Sequence, residues 1–400
     1  MSRHTFVVFA GATLVAAAMS VGGLGSGASV QAAGKGVPQY ELDPSWPPKL
    51  PNNWIMGVPT WVAVDRRDHV WVLHRPRTAP PDQRANAAPA VIEFDPSGKF
   101  VQAWGGPGQG FEWPDTEHGI FVDTKDRVWI TGINPRAGPD VGTRNDDMLL
   151  KFTTAGKFLQ QIGGRDVSGG NKDIRNPHQA AEVFVYAKTN EAFLADGYGN
   201  RRVWVIDAET GAHKRMWGAF GNTPLDPPPP PPAGGAARGA AGAGAAAGAG
   251  RATGAPPPPA DVEGPGPDQY GIVHGAKVSN DGLVYVADRA NRRIQVFSID
   301  GKYLTQGFVN RATSNNSCGT VAFSPDKAQQ FIYCPDFNKG EIAIVDRKTL
   351  ATVGAFGSRG SGPGQFQNLH SMAIDSKGTI YGPEVAPGRR LQKFVYKGMK

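Results

Sequence analysis

From Val58 onward the chain alternates short apolar runs with turns rich in Asp, Asn, Ser and Gly. The stretch VHGAKVSNDGLVYVADRANRRIQVF, Val273–Phe297, shows the unit. An apolar strand is followed by the turn Asn280-Asp281-Gly282, the strand LVYVAD, a loop and a third strand. Valine, isoleucine and aromatic residues bounded by such turns predict short β-strands. Related stretches begin at Val58 (VPTWVAVDRRDHVWVLHRP), Glu117 (EHGIFVDTKDRVWITG), Pro177 (PHQAAEVFVYAKTNEAFLADGYGNRRVWVID), Cys318 (CGTVAFSPDKAQQFIYCPDFNKGEIAIVD) and Leu369 (LHSMAIDSKGTIYGPEVAPGRRLQKF). Many close on a Gly- and aromatic-rich stretch such as AWGGPGQGF or GAFGSRGSGPGQF, which supplies a fourth strand.

Aligning the strand starts gives the anchor positions Thr60, His118, His178, His274, Gly319 and His370. From His178 to His274 is 96 residues, of which 44 belong to an insert at 224–267, leaving 52. Six units of four short strands at this regular spacing predict an all-β fold, a six-bladed β-propeller; a sandwich predicts no regular repeat. The first strand of each blade lines the central channel, so the anchors converge on the axis at one end. The insert, between blades three and four, holds PPPPPP, an Ala/Gly tract and PPPP. That composition predicts a disordered surface loop.

Residues 1–33 read as a signal peptide: Arg3 and His4, the apolar run FVVFAGATLVAAAM, then small residues near Ala32. No membrane-spanning run follows. The expectation is an exported protein, periplasmic or secreted, monomeric and away from the membrane once the signal is removed. The net charge of +7 is spread along the chain, which argues against a nucleic-acid partner. Cys318 and Cys334 fall at the start of one strand and the end of its antiparallel neighbour, where a local disulfide is allowed.

Four of the eight histidines occupy anchors: His118, His178, His274 and His370. A lone channel histidine is usually structural, donating to a carbonyl of the next blade. Several aimed at one axis repel if protonated and share a metal if neutral. Three imidazoles with an open fourth position are the ligand set of a catalytic zinc.

These residues resemble the NHL-repeat propellers and, among them, the peptidyl-α-hydroxyglycine α-amidating lyases, over roughly residues 50–397 apart from the insert. The family motif H-G-x-x-x-D-x-x-x-x-x-W-[IV]-T is matched by HGIFVDTKDRVWIT, and its VADRxNxRIQxF block by VADRANRRIQVF. The resemblance implies Zn²⁺ held by His118, His274 and His370. It implies a catalytic Tyr198 in DGYGNRR and two functional arginines, Arg75 after His74 and Arg289 in VADR. The implied reaction splits the C–N bond of an N-acyl-α-hydroxyglycine, a small molecule or a peptide with that end, into an amide and glyoxylate. In it Tyr198, made more acidic by a neighbouring arginine, takes the hydroxyl proton and the second arginine clamps the carboxylate.

Three positions depart from the family pattern. The family's axial Ca²⁺ maps to the carbonyls of Val62 and Ile120, but its carboxylate position is Ser371, a poorer ligand for a hard cation. Gly199 stands where the family has a disulfide cysteine, and Asn368 replaces a methionine in the substrate pocket. His178 matches no ligand of the family. It is a fourth axial group, a substrate contact or a structural histidine, the last being preferred. Two other readings stay open: a non-enzymatic NHL propeller serving as a binding module or scaffold, and a gluconolactonase-type hydrolase. The latter uses axial carboxylates around calcium, and the anchors here are imidazoles.

Overall fold

Six four-stranded antiparallel sheets stand around one axis in the computed structural model, which describes residues 36–133, 144–226 and 263–400. The predicted signal peptide and the body of the insert, 227–262, lie outside the described residues. Val37–Lys400 forms one compact unit. Blade 1 consists of Val58–Val64, Val70–Arg75, Val91–Phe94 and Phe100–Trp104; blade 2 of Glu117–Val122, Arg127–Gly132, Asp146–Thr153 and Phe158–Arg165. Blade 3 holds Glu182–Tyr186, Glu191–Asp196, Arg202–Asp207 and His213–Trp217; blade 4 Val273–Val278, Val284–Asp288, Arg293–Phe297 and Tyr303–Phe308. Blade 5 holds Ala322–Phe323, Phe331–Asp336, Glu341–Asp346 and Thr352–Phe356. Blade 6 takes Ala373–Ile374, Ile380–Glu384 and Arg390–Met399 from the end of the chain and its outermost strand, Pro38–Asp43, from the beginning. That strand pairs Tyr40 with Tyr396 and Leu42 with Phe394, closing the ring.

The hairpin turns follow from their first residue. Asp65 accepts the amides of Arg67 and His69 at 2.8 and 3.0 Å, and Asp123 those of Lys125 and Arg127 at 2.8 and 3.0 Å. The fourth turn residue is left-handed, Asp68 at φ 63° and Asp126 at φ 57°, where Gly282 and Gly378 serve in blades 4 and 6. Asp, Asn and Gly tolerate that conformation, which is why they mark the turns in the sequence.

The apolar core is divided into six clusters, one at each blade interface. One joins Trp61, Trp71 and Leu73 to Ile120, Ile130 and Phe152; another joins Tyr285, Ala287 and Val296 to Val321, Ile332 and Ala343. The last joins Val62, Val72 and Phe94 of blade 1 to Tyr381 and Leu391 of blade 6. The second strands are covered on both faces, so they read as continuous apolar runs. Each places one aromatic at the same register, Trp71, Trp129, Phe193, Tyr285, Tyr333 and Tyr381, filling the wedge between blades.

Three residues beyond that aromatic the second strand ends on a buried polar group that holds the loop entering its own blade. Asp196 accepts the amide of His178 at 2.8 Å, Asp288 that of Gly271 at 3.0 Å, and Glu384 that of Gln367 at 2.6 Å. Asp336 accepts the Ser314 hydroxyl at 2.8 Å. In blade 1 the group is His74, whose Nδ1 accepts from Gly57 at 3.1 Å, so its Nε2–H donates to the Pro89 carbonyl at 2.9 Å. Blade 2 has Gly132 at this register, and Asp146 of the next strand takes the amides of Asp115 and Thr116 instead. Arginines of the third strand neutralise three of these carboxylates: Arg202 with Asp196 at 2.8 Å and Arg293 with Asp288 at 2.9 Å, all four fully buried, and the part-exposed Arg390 with Glu384. Cys318 and Cys334 are bonded to each other in blade 5.

The register corrects one anchor. Glu182 pairs with Ala195 as Gly275 pairs with Ala287, so the blade 3 residue equivalent to His274 is Ala181. His178 lies three residues earlier, in the entry loop.

Two outcomes test these ties. Asp288→Ala leaves the buried Arg293 guanidinium with carbonyl acceptors but no counter-charge and the Gly271 amide without its acceptor, and is expected to lower stability by about 3–5 kcal/mol in urea denaturation. Burial holds His74 down at about 4, against a small opposing effect of its bond to Pro89. Its folded value lies below the unfolded one of about 6.5, so unfolding takes up protons as pH falls. His74 alone should then remove about 3 kcal/mol between pH 7 and pH 4. Denaturation of His74→Asn over that range should show a shallower pH slope.

Candidate metal centre on the propeller axis

His118 and His274 come from the start of the inner strands of blades 2 and 4, His370 from just before the inner strand of blade 6, and all are fully or almost fully buried. Their ring centroids lie 4.7–5.1 Å apart, and one ligand nitrogen from each falls within 4.8 Å of the others. The Nδ1 atoms share one arrangement. His118 Nδ1 meets the carbonyl of Ala181 at 2.8 Å, His370 Nδ1 that of Thr60 at 2.9 Å, and His274 Nδ1 that of Gly319. Ala181, Gly319 and Thr60 are the anchors of blades 3, 5 and 1. Histidine and non-histidine anchors therefore alternate, and each imidazole donates to the blade that follows it.

A carbonyl only accepts, so each Nδ1 carries the proton and each Nε2 keeps its lone pair. The backbone carbonyl is the partner that fixes tautomer and orientation in metal-binding histidines. Burial, and then the charges of Arg289, His370 and His118, holds His274 well below the usual imidazole range, so it stays neutral. The hydroxyl of Tyr198 stands 3.1 Å from Nε2 of both His118 and His274. Its single proton serves one of them at a time, and converging lone pairs of neutral imidazoles are what a borderline cation such as Zn²⁺ shares. The donor set fits zinc.

Antiparallel pairing brings the end of each second strand beside the start of the first, so the loops after the second strands rise over the histidines. Tyr198 lies on that loop in blade 3. Arg75 and Arg289 each follow the strand-end residue, in blades 1 and 4, half a turn apart around the ring. Arg289 is nearly buried, donates to the Tyr198 hydroxyl at 3.4 Å, and lies 5.4 Å from the Tyr198 ring and 5.9 Å from that of Phe337. Arg75 Nε donates to the carbonyl of Glu117, the residue before His118, at 3.0 Å. Gly197 is required where it stands, because a Cβ there would lie 2.1 Å from the carbonyl oxygen of Val273.

Other expected residues fall elsewhere. His178 is outside the cluster; its Nδ1 is 3.0 Å from Asp147, and its ring occupies the space a Gly199 side chain would need. Burial lowers its affinity for a proton, but the bond to Asp147 and that group's charge outweigh this and raise its pKa. It is a structural histidine beside the Tyr198 loop. Asn368 donates to the Ala386 carbonyl. Val62 and Ile120 are buried ladder residues, and Ser371 gives only a hydroxyl, 3.4 Å from the Thr60 carbonyl. The carboxylate one register position beyond Ala181, Glu182, is taken by Lys277 at 3.2 Å and Thr320 at 3.0 Å. These residues do not fit calcium.

Sequence reasoning missed Trp61, Phe337 and Glu182. Trp61, one residue beyond the Thr60 anchor, lies 5.4–5.8 Å from all three imidazoles and floors the site. Its signal was its position beside an anchor. Phe337 follows a strand-end residue as Arg289 does, and lies 6.5 Å from His370. A second group, Asp65, His69 and Glu93, also brings ligand atoms together. Its atoms are spent on turn amides, the Trp71 indole at 3.2 Å and the His69–Glu93 contact at 2.6 Å, and Asp123 serves Trp129 likewise.

The NHL repeat matches residues 272–297, the stretch that carries His274 and Arg289. The chain is a six-bladed propeller carrying an NHL repeat. This NHL propeller is 24% identical to human NHL repeat-containing protein 3 over 89% of the chain and 84% of the relative. The mouse protein of the same name is also 24% identical, over 90% and 84%. Peptidyl-alpha-hydroxyglycine alpha-amidating lyase 1 of Drosophila melanogaster is 21% identical, over 90% of the chain and 60% of the fly protein.

The geometry gives a direct expectation. Purified protein should bind about one zinc per chain, as one three-ligand set demands. Elemental analysis should show lower occupancy in His118→Ala, His274→Ala and His370→Ala, and none lost in His178→Ala. Full occupancy in all three would remove the axial centre.

Proposed function

We propose that the protein is an exported lyase that splits the C–N bond of an N-acyl-α-hydroxyglycine into a primary amide and glyoxylate. The observation that carries this reading is the convergence of three Nε2 lone pairs, the Tyr198 hydroxyl and the Arg289 guanidinium around one point on the axis. Similarity to the Drosophila lyase, at 21% identity, supports it. His118, His274 and His370 would hold Zn²⁺, which when bound supplies Lewis acidity toward the substrate hydroxyl.

The residues of the chain perform the rest. Tyr198, as its phenolate, takes the hydroxyl proton; the O–H electron pair becomes the C=O bond of glyoxylate, and the C–N pair leaves with nitrogen. Tyr198 returns the proton to that nitrogen, completing the amide. Arg289 pairs with the carboxylate that leaves as glyoxylate, with two parallel donors available for two oxygens. Arg75, held by the Glu117 carbonyl across the axis from Arg289, adds a second positive charge to the loop face, while Arg289 is the guanidinium that meets the Tyr198 hydroxyl. Trp61 closes the channel below, so substrate enters from the loop face.

The test is release of glyoxylate from N-acyl-α-hydroxyglycines by zinc-loaded protein. Tyr198→Phe keeps the ring and removes the proton acceptor. It should lower kcat by ~10²-fold or more while zinc stays bound. Arg289→Ala should weaken substrates bearing the carboxylate more than analogues lacking it. Absence of glyoxylate with loaded wild type sinks the lyase reading. It would favour the binding-module reading.

A further inference from the structure

One residue before His118, blades 1 and 2 part to leave a cavity of about 480 Å³, within the range of small-molecule pockets. Its walls are largely apolar, with Trp54, Trp113, Ala88, Pro89 and Pro107 among them. Four charged residues line it, Glu117, Asp115, Arg77 and Arg165, with Asp115 already taken by Arg165 at 2.9 Å. Pro76 and Arg77, which directly follow Arg75, form part of the same wall, so the cavity adjoins the loop face of the axial centre.

Two buried atoms of these side chains have no partner. Glu117 is only 3% exposed; its Oε1 accepts the Trp113 indole at 2.9 Å, while its Oε2 is buried and unbonded. Arg165 uses one terminal nitrogen on the Trp113 carbonyl at 2.8 Å and on Asp115 at 2.9 Å, and its buried Nε is left over. A buried polar atom without a partner is costly, and both belong to side chains that line one largely apolar space. An acceptor and a donor left together are met by a group that carries both an N–H and a C=O. An amide has both, and apolar walls suit an apolar or aromatic side chain beside it.

We propose that this cavity is the subsite for the acyl side of the substrate, an amide-bearing chain with an apolar or aromatic residue. An N–H of that chain donates to Glu117 Oε2, its carbonyl accepts from Arg165 Nε–H, and its side chain packs between Trp54 and Trp113. The proposal rests on the lyase reading for the identity of the chain; recognition itself requires no turnover.

The test titrates the full protein with N-acetylphenylalaninamide, which has neither the hydroxyl nor the carboxylate used on the axis, by calorimetry and tryptophan fluorescence. Saturable binding at one site is expected. It should weaken tenfold or more in Glu117→Gln, which turns the acceptor into a donor, and in Pro107→Trp, which fills the exposed mouth. Tyr198→Phe should leave it unchanged. No saturable binding by wild type, or equal affinity in Pro107→Trp and folded Glu117→Gln, overturns the subsite. Amide binding without glyoxylate release keeps the cavity and removes the lyase. Glyoxylate release with the same kcat/KM from N-acetyl and N-acetylphenylalanyl substrates keeps the lyase and removes the subsite.

Discussion

An imidazole N–H donating to the carbonyl of the next blade is the bond on which fold and site both depend. It occurs at blades 2, 4 and 6, and each time it crosses to a blade without an axial histidine. The bond spends the one proton of a neutral ring on the scaffold and leaves the other nitrogen as a lone pair on the axis. Protonation of any ring would place a second N–H among its neighbours and a charge in a buried site. Burial and the Arg289 charge oppose that at His274. The stapling of adjacent blades and the basicity of the centre are thus two effects of one contact.

The loops above the axis are governed by a different device. In blades 1, 3, 4 and 6 the carboxylate or imidazole near the end of the second strand accepts an amide of the entry loop and, in blades 3 and 4, the carboxylate also pairs with a buried arginine. Tyr198 lies two residues beyond Asp196, which fixes its loop through Asn200, Arg202 and the amide of His178. The phenol is therefore positioned by residues that never approach the axis. Gly197 and Gly199 on either side let the loop pass against blade 4 and against His178.

Much of this was legible in the sequence because its causes are local. Turn residues, aromatic spacing and short apolar runs repeat in every blade, and they led to six blades and to four histidine anchors, from which the family resemblance singled out His118, His274 and His370. Histidine identity misled at His178, because the inner-strand register of blade 3 is set by the pairing of Glu182 with Ala195, not by the nearest imidazole. Trp61, Phe337 and the Glu182–Lys277 pair escaped for another reason. Their roles arise from contacts between blades far apart in sequence, as when Trp61 meets His370. The cavity between blades 1 and 2 is of the same kind, since Trp54, Glu117 and Arg165 have no sequence spacing that announces it.

The outer strand of blade 6 has a consequence for the order of assembly. Asp43 pairs with Lys393, 350 residues later. Closing a loop of that length costs on the order of 5 kcal/mol in chain entropy before any pairing repays it, and such non-local pairing is slow. On a ribosome the first strand must wait unpaired until the last one emerges. His370 reaches the Thr60 carbonyl across the same seam between blades 6 and 1. In the proposed zinc centre His370 would therefore be the last ligand to arrive, and a chain whose ring has not closed would offer only two of the three. Metal capture would then be a checkpoint that only a finished molecule passes.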